Sequence, residues 1–389
     1  MSDGDDLSDC SNSSDSSYSK VDFYEVQNVV PEQFKNKVNS LNKILQSEIK
    51  DTDELKNLAC SEGGLVISLV RSEAWPLLLN LSIENKPLLN LENIKDHPEY
   101  NQVVMDVRRC LKRFPPGISY ERIGLLQEQL IEIILSIITE HKELKYYQGY
   151  HDVAVTFLIE VGQEKAYILM EYLSLNHLRK FLMPTMNETS YMLWHVFPLL
   201  LKIDPILGEF ILKSGIGTIF ALPWLLSWFS HSLNQHIKVV RLFDYFLASQ
   251  EDIILYVIAQ MIIARRDEVL KVECDMANVH WVLSKIPEDL DFESVLDKAT
   301  IMCEDYPLST IKDEVDLLIE NEAKLLQALH DENIQRRSIR KKIPDHGPPF
   351  ANAFHYVPIW IVPRMRFGLL FFGFSVAAGL WAVIKSNNN

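Results

Sequence analysis

Apolar residues along this chain recur at three-and-four spacing rather than in strict alternation, the period of amphipathic helices and not of half-buried strands. The pattern predicts helices over residues 31–49, 65–79, 98–113, 120–141, 149–161, 164–182, 188–213, 218–233 and 237–249. Within 120–141, Leu126, Leu130, Ile133, Ile134, Ile137 and Ile138 make one apolar face. Glu128, Gln129, Glu132 and Glu140 interrupt the rest, so this is a core helix and not a membrane span. No internal repeat is present. The expected fold class is all-α.

Both ends depart from this pattern. Residues 1–28 open with Asp3, Asp5, Asp6, Asp9 and Asp15 among eight serines in the first 20 positions, too few apolar groups to offset the entropy of ordering. A disordered acidic tail is expected there, followed by a helical region over 29–310. Residues 311–342 form a charged helical stretch whose apolar positions Val315, Leu318, Leu325 and Leu329 are interrupted by Glu322. That reads as a packed or solvated helix more than a coiled coil. A linker over 343–366 carries Pro344, Pro348, Pro349, Pro358 and Pro363. Residues 367–384 are then 18 positions without a charge. At about 1.5 Å per residue they reach roughly 27 Å, the hydrocarbon thickness of the thin endoplasmic reticulum bilayer. A transmembrane tail anchor is expected, with a short tail at 385–389. Arg364 and Arg366 flank its N-terminal side against Lys385 alone beyond it, which places the body in the cytosol. Gly373/Ala377 and Ser375/Gly379 give that helix small faces suited to weak self-association.

Composition narrows the chemistry. A formal net charge of −15 argues against a sequence-independent grip on nucleic acid. The five cysteines show no CxxC or Cys/His spacing, so neither a disulfide framework nor a metal site is expected and a reducing compartment fits. No phosphate-binding loop, GxGxxG, HExxH or GxSxG occurs, and the chain is expected to bind no nucleotide by itself.

Three stretches carry candidate chemistry: Arg71-Ser-Glu-Ala-Trp75, Asp106-Val-Arg108-Arg109, and Tyr146-Tyr-Gln148-Gly149-Tyr-His-Asp152. Asp106 and Arg109 stand at i, i+3, where the carboxylate could direct the guanidinium. Gly149 removes side-chain bulk beside Gln148. Arg108 and Arg113 are rivals to Arg109; Arg113 lies seven residues after Asp106, close to the same helical face, but only Arg109 satisfies DxxR.

In order and spacing these stretches resemble the RxxxW, IxxDxxR and YxQG motifs of the TBC domain, the helical module that activates Rab GTPases. The resemblance covers about residues 63–250. Strings at 106–109, 114–117, 146–152 and 217–222 are similar to those of an endoplasmic-reticulum-anchored branch of that family, which also ends in a transmembrane helix. It implies an activator without catalysis of its own, with Arg109 as arginine finger and Gln148 as glutamine finger, and Asp106, Tyr146, Gly149, Asp152, Arg71 and Trp75 in support. The implied partner is a Rab GTPase, which carries the GTP and Mg²⁺, and the target is the Rab of export toward the Golgi. A non-catalytic TBC scaffold and an adaptor acting through 311–342 are the alternatives from other classes.

Overall fold

The computed structural model describes residues 28–83, 87–89, 94–115 and 117–342. The acidic run at 1–20, the proline linker, the apolar span at 367–384 and the tail at 385–389 lie outside them. All regular secondary structure among the described residues is helical. Among them no helix is long and apolar enough to cross a membrane.

The first helices are α1 (Lys35–Gln46), α2 (Thr52–Cys60), α3 (Ser68–Leu78), α4 (Tyr100–Arg109), α5 (Tyr120–Glu140) and α6 (Tyr150–Leu175). After them come α7 (Asn187–Trp194), α8 (Val196–Ile203), α9 (Pro205–Lys213), α10 (Leu222–Leu226), α11 (His236–Ala248) and α12 (Ile253–Ile263). The last four are α13 (Arg266–Val269), α14 (Met276–Leu283), α15 (Phe292–Asp305) and α16 (Lys312–Lys342).

The predicted face of α5 is buried in full, and the helix packs along α6. α6 in turn meets α3 and α4. Gly162, at φ 77° and ψ 170°, breaks α6 where the periodicity separates 149–161 from 164–182. α11 packs on α2 and α3, and α12 on α8 and α15. The chain forms two units, residues 1–324 and 325–389. In the first, the opening turns of α16 bury Val315 and are held by Lys202–Glu314 (2.7 Å) and Tyr191–Asp316 (2.9 Å). In the second, Leu325 and Leu326 are exposed.

Four expectations are corrected by local chemistry. α2 is short and polar, with a weak apolar signal; it forms because Asp51 caps it, accepting from the Glu54 N–H at 2.9 Å. The single helix expected at 188–213 is three; the second break, between α8 and α9, arises because Pro205 lacks the N–H needed to continue α8 and Asp204 caps the new start on Leu207 N. The helix expected at 218–233 shrinks to α10, because Trp228 and Phe229 turn into the left-handed region at φ 47° and 64° to bury their rings. Finally, the helix expected at 98–113 ends at Arg109 and tightens into a 3₁₀ turn over Cys110–Arg113, which alters the direction of Arg113.

Candidate functional site

Arg109 is the last residue of α4, where a cation complements the helix dipole. Its side chain is exposed and, among the described residues, has no hydrogen-bond or ion-pair partner. Gln148 lies in the turn before α6 and is likewise exposed and unengaged. The two groups that the motifs single out thus point away from internal bonds and remain available to another molecule.

Their backbones are held with much less freedom. Tyr146 N–H donates to Glu99, the residue before α4, at 2.8 Å, and the Tyr146 hydroxyl donates to Asp106 in the middle of α4 at 3.1 Å. His151 Nδ1 lies 2.8 Å from the phenol oxygen. With the hydroxyl proton on the carboxylate, that oxygen accepts from Nδ1–H. Tyr147 is buried and donates to the Leu226 carbonyl at 2.8 Å, fixing the other side of the turn to α10. Gly149 follows at φ 115°. A Cβ there would meet nothing of this chain nearer than 3.7 Å, so within the chain the position needs glycine for its backbone angle.

The supporting residues are distributed differently from the spacing-based expectation. Asp106 does not hold Arg109; its carboxylate is taken by Gln102 Nε2 (3.0 Å) and Tyr146. Arg113 turns inward instead. Its Nε is 3.0 Å from Asp152 Oδ1 and its Nη1 donates to the Ser230 carbonyl at 3.0 Å. His231 Nδ1 meets the other Asp152 oxygen at 2.8 Å. Burial alone would push the Asp152 carboxyl up, but the His231 hydrogen bond with the nearby His151 and Arg113 holds it below the usual carboxylate range. Burial pushes His151 below the ordinary histidine value. Arg113, His151 and His231 carry no separate motif signal; their roles arise only when α4, α6 and the segment after α10 meet.

Arg71 and Trp75 stand apart from Arg109 and Gln148. Both are buried, and both donate to Asp244 of α11: Arg71 Nε at 3.1 Å, Trp75 Nε1 at 2.8 Å. Leu65 N adds a third bond to the same carboxylate at 2.9 Å, and Arg71 also faces Glu160 of α6 at 3.5 Å. This motif is a junction between α3, α6 and α11. Among the described residues, Glu140, His141 and Glu171 are the one group with metal-ligand spacing, and there His141 Nε2 and Glu171 are already paired at 2.8 Å.

Comparisons with known proteins identify the family and the fold. The family model described as "Rab-GTPase-TBC domain" matches residues 68–271. The chain is 42% identical over 281 residues to TBC1 domain family member 20 of Homo sapiens, covering 72% of this chain and 70% of that protein. It is 27% identical over 280 residues to the GTPase-activating protein gyp10 of Schizosaccharomyces pombe, covering 69% and 74%. Among solved structures it is similar to the Ypt/Rab-GAP domain of Gyp1p, with a TM-score of 0.55 at 16% identity over 70% of this chain and 98% of that one. At that identity the likeness is one of fold.

Proposed function

The chain belongs to the Rab-GTPase-TBC domain family and is a GTPase activator for Rab partners, and from that premise we propose that it stimulates hydrolysis by inserting Arg109 and Gln148 into the partner's nucleotide site. The observation that supports the reading is that these two motif side chains are exposed and, among the described residues, without partners, while the turn carrying Gln148 is tied to the helix carrying Arg109; Arg108 is exposed and unpartnered as well, and it is the DxxR spacing that selects Arg109 over it. Phosphoryl transfer spreads charge over oxygens that a GTPase neutralises poorly alone. An arginine supplied in trans contributes about 10³–10⁵ in rate, roughly 4–7 kcal/mol. A glutamine held beside it orients the attacking water. GTP and Mg²⁺ arrive with the Rab, and this chain supplies no cofactor.

The substrate we propose is the Rab of transport from the endoplasmic reticulum to the Golgi, with the chain anchored in the endoplasmic reticulum membrane by residues 367–384 and its body in the cytosol. Support comes from the uncharged run and its flanking arginines, and from the family branch its motif strings resemble.

The test is single-turnover GTP hydrolysis by a panel of Rabs with the full chain in detergent. One Rab is expected to respond strongly, with Arg109→Ala and Arg109→Lys each reducing the stimulation by about a thousandfold, since lysine lacks the planar fork. A chain that binds a Rab but leaves its hydrolysis unchanged would instead be a scaffold.

A further inference from the structure

Two side-chain ties flank the fingers, and they are placed in register. Asp106 and Tyr146 precede Arg109 and Gln148; Arg113 and Asp152 each follow their finger by four residues. The first tie is a neutral hydroxyl on a carboxylate at 3.1 Å. The second is an ion pair whose Asp152 side chain is only 1% exposed, where water competes little for the charges. Arg113 also reaches the Ser230 carbonyl, which follows directly on the left-handed Trp228 and Phe229. That strained turn fixes the carbonyl in place. The Arg113 guanidinium is therefore committed inward through Nε and Nη1, unlike that of Arg109.

We propose that the Arg113–Asp152 pair sets the separation and direction of the two fingers, making Arg113 and Asp152 positioning residues for the stimulated reaction. The proposal rests on the reading of Arg109 and Gln148 as fingers. The end of α4 and the start of α6 come from distant parts of the sequence. With the second tie cut, the 3₁₀ turn after Arg109 is free to rotate against the Gln148 turn. A misplacement of about 1 Å in such a site can cost 10²-fold in rate. Relative placement matters only while both fingers are present.

The experiment follows single-turnover hydrolysis by the most responsive Rab across concentrations of full chain. Arg113→Lys, Arg113→Gln and Asp152→Asn are compared, each alone and in a Gln148→Ala background. Each tie variant alone is expected to lower the maximal rate by about tenfold or more, with the half-saturating concentration within about threefold of the parent. In the Gln148→Ala background the same changes should add less than about twofold. Should Arg113→Gln strand Asp152 and unfold the domain, Arg113→Lys carries the test: it keeps the charge but cannot span Asp152 and Ser230 together. An unchanged maximal rate in Arg113→Lys, a loss confined to half-saturation, or equal losses in both backgrounds would overturn the proposal. If Gln148→Ala alone is harmless, the finger reading fails first and takes the proposal with it; if Gln148→Ala is severe but the losses multiply, only the tie is refuted.

Discussion

Residues that look alike by type differ here in what they touch. Among the described residues Arg109 and Gln148 have no bonding partner, so their removal should change activity and leave the melting temperature nearly unmoved. The separate work of Gln148 is open to a sharper comparison. If it positions water, a Rab whose own switch glutamine is changed to Ala should still be stimulated, while Gln148→Ala should be impaired even toward a normal Rab. Rates for the four combinations decide it; a fully unresponsive Rab variant beside a harmless Gln148→Ala would leave a one-finger mechanism. His151 gives a pH signature. Burial lowers its folded value below 6.5, so on acidification the unfolded chain takes up the proton first, and stability is lost as pH falls through 6.5 toward the folded value. The drop in melting temperature between about pH 7 and about pH 5.5 should be shallower in His151→Gln than in the parent. Equal slopes would mean that other groups carry it.

At the scale of elements, the junction of α3, α6 and α11 is tied by two carboxylates, Glu160 of α6 and Asp244 of α11. Burial pushes Asp244 up, against the Arg71 guanidinium and the Leu65 and Trp75 N–H groups that favour its charge. Trp75→Phe keeps most of the ring packing against Phe157 and Phe243 but removes a donor, and should cost about 1–3 kcal/mol in urea unfolding. An unshifted midpoint would show that the bond contributes nothing net. Gly64 passes so close to this junction that a Cβ would sit 2.5 Å from Asp244 Oδ2, on a backbone already at φ 56°. Gly64→Ala combines a clash with conformational strain and should cost roughly 3 kcal/mol or more. Gly149→Ala carries strain alone, about 1–3 kcal/mol. The same denaturation series ranks them, and a milder Gly64→Ala would mean that the loop yields.

For the whole molecule, the catalytic groups proposed here all lie within residues 1–324, before the second unit begins. Truncation near residue 355 should therefore release the protein from membranes and preserve stimulation by the soluble fragment, as fractionation and hydrolysis assays would show. A fragment that stays membrane-bound or loses activity would count against an anchor at 367–384. The sequence by itself determined the helical class, because the apolar period is local and survives in any arrangement of the helices. It also identified Arg109 and Gln148 as the motif residues, since their spacing within each stretch is short. It carried the break at Gly162 as an interruption of the pattern, while the cap at Asp51 and the stop at Arg109 lay in side-chain and backbone bonds that periodicity does not report. Only the tertiary structure decided which side chains pair around Arg109 and Gln148. The bond from Arg113 to Asp152 joins residues that no local period relates, as does that from Arg71 to Asp244. Such pairs exist only where separate helices close on a low-dielectric interior, and there geometry, not spacing along the chain, selects the partner.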